Sequence, residues 1–113
     1  MSAAQTRAQR EREMNARLLN WGKWAAMSHE VSSRDDHALE VNELDAQVVE
    51  EALCRMKRMR DDLWAYVDRC YLRRWMVETI AQDLRVSVSS VYAKRQQVLV
   101  WLDGYWENQR RHG

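Results

Sequence analysis

Ser87, Ser89, Ser90, Lys94 and Gln97 lie within eleven residues of one another. On a helix of 3.6 residues per turn they would spread over the outer side. Hydroxyl, ammonium and carboxamide groups set out in this way can hydrogen-bond the base edges and phosphates of double-stranded DNA. Ser89, Ser90 and Gln97 are candidates for base edges, Lys94 for guanine or phosphate, and Ala93 for a thymine methyl group. Val88 shares that exposed side, and Tyr92 and Arg95 suit phosphate contact or local packing. Arg73, Arg74 and Arg85 lie close by in the chain and suit contacts to the DNA backbone.

Other chemistry finds little support. There is no phosphate-binding loop, no nucleophile motif and no set of metal ligands, so neither enzyme activity nor a metal or other cofactor is expected. His29, His37 and His112 fall in expected loops or the tail. Cys54 and Cys70 lack metal-ligand spacing and are expected as buried free thiols of a reducing cytoplasm. No apolar run is long enough for a membrane span, and the polar start MSAAQTRAQREREMNAR lacks a signal-peptide core.

To act together, these side chains need a helix-turn-helix, and VETIAQDLRVSVSSVYAKRQQVLVWL meets its demands. Ile80 and Leu84 can face the core from the first helix, with small Ala81 where the second helix crosses. Val86 is expected as a buried residue of the turn, Ser87 as the cap of the next helix, and Val91 as its anchor. Arg85 stands at the turn position where glycine is usual, so a left-handed backbone there would be mildly costly. Lys94 stands where many such motifs carry an aliphatic residue, a tolerance typical of sigma-factor motifs. The second helix should continue to Trp106, roughly 28 Å at 1.5 Å per residue, long enough to carry a packing surface as well.

The remainder reads as helical too. The chain has 113 residues with no proline and three glycines, too few turn formers for an all-β fold. An all-α fold of about five helices in one domain spanning residues 1–113 is expected, with a sigma-region-4-like helix-turn-helix over 76–106. The first helix covers about 6–27, with Met14, Leu18, Trp21 and Ala25 on one face and residues 1–13 as a polar, fraying extension. An acidic loop occupies 28–41. A second helix, capped by Asn42, carries the apolar stripe Leu44, Val48, Val49, Ala52, Leu53 and Met56. Its basic run Arg55, Lys57, Arg58 and Arg60 suits a helix C-terminus. A third helix, from Asp61 or Asp62 to Arg73, turns Leu63, Val67, Cys70 and Tyr71 inward.

The net charge of +1 hides an uneven distribution. Residues 30–52 carry eight acidic and one basic side chain, whereas residues 69–113 carry eight basic and four acidic ones. The basic C-terminal part could face phosphate, and the acidic centre would be repelled by it.

Trp21 and Trp24, three residues apart around Gly22, suit a core stripe and are also candidates for a protein contact. Gly22 costs about 1 kcal/mol relative to alanine inside a helix, so a neighbouring helix should pass closely there. The segments WGKWAAMSHE, DLWAYVDRCYL and ETIAQDLRVSVSSVYAKRQQVLVWLDG together resemble the phage antitermination protein Q family, of the type without a zinc-binding motif. Relative to that family the acidic linker at 31–41 is short, and Arg74 stands where glycine is common. The resemblance implies a protein of the bacterial host cytoplasm that binds a DNA element overlapping a late promoter. It implies transfer to RNA polymerase held with its sigma factor at a pause, and narrowing of the RNA exit channel so that terminator hairpins do not form.

Two other readings fit the helix-turn-helix. One is a simple repressor or activator, binding DNA as a homodimer. The other is a helical phage assembly protein such as a small terminase subunit.

Overall fold

The computed structural model describes residues 6–29 and 41–112, without the side chains of residues 28, 29 and 110–112. Of the acidic loop expected over 28–41, residues 28 and 29 belong to the first helix instead, and residues 30–40, His37 among them, lie outside the described residues. Among the described residues there are five α-helices: α1 (Arg7–His29), α2 (Glu43–Met59), α3 (Asp61–Val67), α4 (Val77–Leu84) and α5 (Val88–His112). No strand occurs among the described residues, and the fold is all-α as expected. None of these helices is long and apolar enough to cross a membrane.

α1 begins with a reciprocal cap. The Gln9 N–H donates to Thr6 Oγ1 at 3.1 Å, and the Thr6 N–H donates to Gln9 Oε1 at 3.0 Å. Of the polar extension expected to fray over 1–13, residues 1–5 lie outside the described residues, and residues 7–13 are helical and held against α5. Arg10 makes two hydrogen bonds to Asp103 of α5, at 2.6 and 3.1 Å, and Gln96 donates to Glu11 at 2.6 Å. Polar contacts from α5, distant in sequence, dock a segment whose own side chains are too polar to bury.

α2 begins at the expected cap, the Asp45 N–H donating to Asn42 Oδ1 at 3.0 Å. Its buried stripe is Ala46, Val49, Ala52, Leu53 and Met56. Leu44, 76% exposed, and Val48 therefore stand outside the core they were expected to join. Burial of these five residues sets the rotation, and polar contacts flank the stripe: Asp45 pairs with Arg17, and Glu50 accepts the Trp21 Nε1–H at 2.8 Å.

The third helix stops short of Arg73. After Val67 it widens into a π-helical turn over Asp68–Leu72, whose i→i−5 bond runs from the Arg73 N–H to the Asp68 carbonyl at 2.9 Å. The chain leaves the turn through Arg74, at a left-handed φ of 58°. The Trp75 N–H then closes back on the Arg69 carbonyl at 2.9 Å. Tyr71 in this turn is buried, and its hydroxyl donates to Asn15 of α1.

One hydrophobic cluster joins all five helices. It includes Met14, Leu18 and Trp21 of α1, Val49, Leu53 and Met56 of α2, and Leu63 and Val67 of α3. Ile80 and Ala81 of α4 and Val91, Val98, Leu99 and Leu102 of α5 complete it. Trp21 meets Trp64 edge-on with ring centroids 6.2 Å apart. Of the two cysteines, Cys54 is exposed, contrary to expectation, because it lies on the uncovered side of α2, and Cys70 is half-buried; both are free.

Candidate nucleic-acid interface

The turn between α4 and α5 is closed by paired hydrogen bonds at the end of α4. The Arg85 N–H reaches the Gln82 carbonyl at 3.3 Å, and the Val86 N–H reaches the Ala81 carbonyl at 3.0 Å. This pattern requires a left-handed residue between them, and Arg85 supplies it with φ 59° and ψ 48°. Val86, expected to be buried, remains 36% exposed, because Ile80, Ala81 and Val91 already fill the junction.

Ser87 then starts α5. Its Oγ accepts the Ser90 N–H at 3.1 Å, as expected of a cap. The same hydroxyl donates to Ser90 Oγ at 2.9 Å and lies 3.2 Å from Ser89 Oγ. Three hydroxyls thus share one exposed cluster at the start of the helix.

Burial of Val91, Val98 and Leu102 fixes the rotation of α5. The opposite side presents Ser89, Ala93, Gln96, Gln97 and Val100 to solvent, with Val88, Ser90 and Tyr92 exposed beside them. This strip contains most of the expected base-reading residues and adds Gln96. Such a strip offers carboxamides that can bond adenine bidentately and methyl groups that can meet thymine.

Several expected contacts lie elsewhere. Lys94 is not free on the strip but stands on its flank, half-buried, with Nζ 3.1 Å from Asp62 Oδ2 of α3. Arg95 points inward beside Tyr71 and Cys70, so it packs locally rather than facing DNA. Burial pushes the Tyr71 hydroxyl above its ordinary pKa, with Arg95 working in the opposite direction. Arg73 pairs with Asp68 at 3.0 Å, packs over Trp75 with 5.3 Å to the ring centroid, and lines a cavity with Trp21, Trp24 and Trp64. It belongs to the tryptophan side of the molecule because the π-helical turn carries it there. Arg74 and Arg85 are exposed. Trp21 is a core residue, whereas half-buried Trp24 lines that same cavity of about 450 Å³.

Two arginines outside the motif lie beside this strip. Arg7 of α1 and Arg60, between α2 and α3, line a cleft of about 320 Å³ with Gln96, Gln97, Val100 and Trp101. Arg60 donates to both carboxylate oxygens of Asp62, each at 3.1 Å. Hydrogen bonds from Arg60 and then Lys94 hold the Asp62 carboxyl well below the usual carboxylate range. Arg60 is the last residue of the basic run, but only the packing of α3 against α5 brings it beside α5.

Comparison of the chain with protein-family descriptions finds no match. Comparisons with curated proteins and with solved structures find none either.

Proposed function

We propose that the chain is a DNA-binding transcription antitermination factor. The observation that carries the DNA-binding part is the α4–α5 junction: a left-handed Arg85, a Ser87 cap and a solvent-facing strip of Ser89, Ala93 and Gln97. α5 can enter a major groove about 12 Å wide while its buried face keeps hold of the core.

The antitermination part draws on the resemblance to the antitermination protein Q family, and two features of the fold support it. Arg74, where that family commonly has glycine, adopts the left-handed backbone that glycine favours. Gly22, within the Trp-Gly-x-Trp-Ala-Ala segment, lies where the chain at Tyr71 passes too closely for a side chain. In this reading the protein binds beside a late promoter in a bacterial host and acts on paused RNA polymerase carrying its sigma factor.

The test is transcription with purified bacterial polymerase on a template bearing the protein's binding site, a promoter-proximal pause and a downstream terminator. Read-through should rise on adding the protein. DNA binding without read-through would leave a simple regulator, and a stable ring of many subunits formed without DNA would point to an assembly protein.

A further inference from the structure

We propose that Arg60 and Lys94 form a seat for one backbone phosphate of duplex DNA, and that Asp62 fills this seat in the free protein. This inference rests on the DNA-binding reading above and adds to it a contact outside the helix-turn-helix.

The geometry is that of an oxyanion site. Asp62 accepts from Arg60 Nε and Nη2 and from Lys94 Nζ, all at 3.1 Å. A bidentate guanidinium with an ammonium beside it is the donor set suited to phosphate oxygens. Its place is also apt. Lys94 lies one turn beyond Ser90 on the flank of the exposed strip, and Arg60 shares the adjoining cleft with Gln97 and Arg7. A helix lying in the major groove has phosphates along both flanks.

The carboxylate can yield. The Asp62 side chain is 44% exposed and those of Arg60 and Lys94 are 43% and 34% exposed, so the cluster sits in water, where ion pairs are weak. A phosphate arriving with the duplex can take both cations while Asp62 turns outward, with no rearrangement of the core. Asp62 therefore opposes binding to any duplex, and contacts elsewhere on the protein, such as those along α5, would offset that opposition.

The test is anisotropy of a fluorescently labelled, mixed-sequence duplex over a range of salt concentrations. Asp62→Asn should bind roughly five- to tenfold more tightly than the wild type at low salt, the size expected on releasing two exposed ion pairs. Asp61→Asn removes the same charge from the neighbouring residue, which makes none of these contacts, and should gain much less. The Asp62→Asn gain should shrink when Lys94→Ala is added and vanish when Arg60→Ala is added as well, and Arg60→Ala should lower the salt slope by up to about 0.9.

Equal gains from Asp61→Asn and Asp62→Asn, or an Arg60→Ala variant with unchanged slope, would overturn the seat and leave the DNA reading standing. Wild-type and Asp62→Asn proteins that are folded by circular dichroism and bind no duplex would overturn both. A purely structural role for Asp62 predicts a lower Tm for Asp62→Asn without tighter binding, and that result also rejects the seat.

Discussion

Gly22 of α1 lies directly against Tyr71: a Cβ at Gly22 would come within 2.5 Å of the Tyr71 carbonyl oxygen. That oxygen belongs to the π-helical turn and is backbone, so it cannot swing aside. Gly22→Ala gains about 1 kcal/mol of helix propensity, but forcing an extra carbon into a packed contact costs typically 1–3 kcal/mol. A net destabilisation of about 1 kcal/mol is expected, seen as a fall in Tm of roughly 4–8 °C. A rise in Tm would show that α1 and the turn stand further apart than described.

Arg74 and Arg85 both hold left-handed backbone at φ 58° and 59°. A side chain in that region costs roughly 1–2 kcal/mol, part of which glycine forfeits through its freer unfolded chain. Arg74→Gly and Arg85→Gly should each stabilise the fold by about 0.5–1 kcal/mol. Arg85→Ala, which keeps the Cβ, should not. Urea titration of the three variants checks this, and equal effects of glycine and alanine at position 85 would argue against the turn geometry.

The two thiols should react at separate rates. Cys54 is exposed, whereas Cys70 is half-buried among α3 and α5. Burial raises both thiol pKa values, aided at Cys54 by the Glu50 carboxylate, so both hold less thiolate than a free cysteine. A thiol-reactive disulfide should label one site quickly and the other slowly, each faster as pH rises, and Cys54→Ser should remove the fast phase. Loss of the slow phase instead would place the wrong cysteine at the surface.

The exposed strip and its flank should separate in a binding experiment. With a target selected from random duplexes, Ser89→Ala combined with Gln97→Ala should lose about 1–3 kcal/mol per base contact while keeping the salt slope. Lys94→Ala should instead weaken binding to all duplexes alike and lower that slope by up to about 0.9. The reverse assignment would mean that α5 is rotated differently in the groove.

The motif itself was legible because its information is local. The Ser87 cap, the left-handed turn at Arg85, the anchor Val91 and the spacing of Ile80 and Ala81 all lie within a few residues of one another. Hydrogen bonds within three or four residues and the 3.6-residue period suffice to predict them. The same holds for the Asn42 cap and the all-α class. The capping pair Thr6 and Gln9 was legible in principle as a Thr-x-x-Gln spacing. The polar character of the surrounding residues favoured an extension instead.

The amino-acid sequence alone thus determined that the chain is helical and where α5 begins. Tertiary structure decided which flank of each helix is covered, because that depends on partners distant in the chain. Leu44 is left outside because Ala46, Val49, Ala52, Leu53 and Met56 are the residues of α2 that the other helices cover. Lys94, on the flank of the exposed strip of α5, meets Asp62, 32 residues earlier. Arg10 and Asp103, 93 residues apart, dock the start of α1. Periodicity shows that a face exists, and only the packed neighbours determine what it meets.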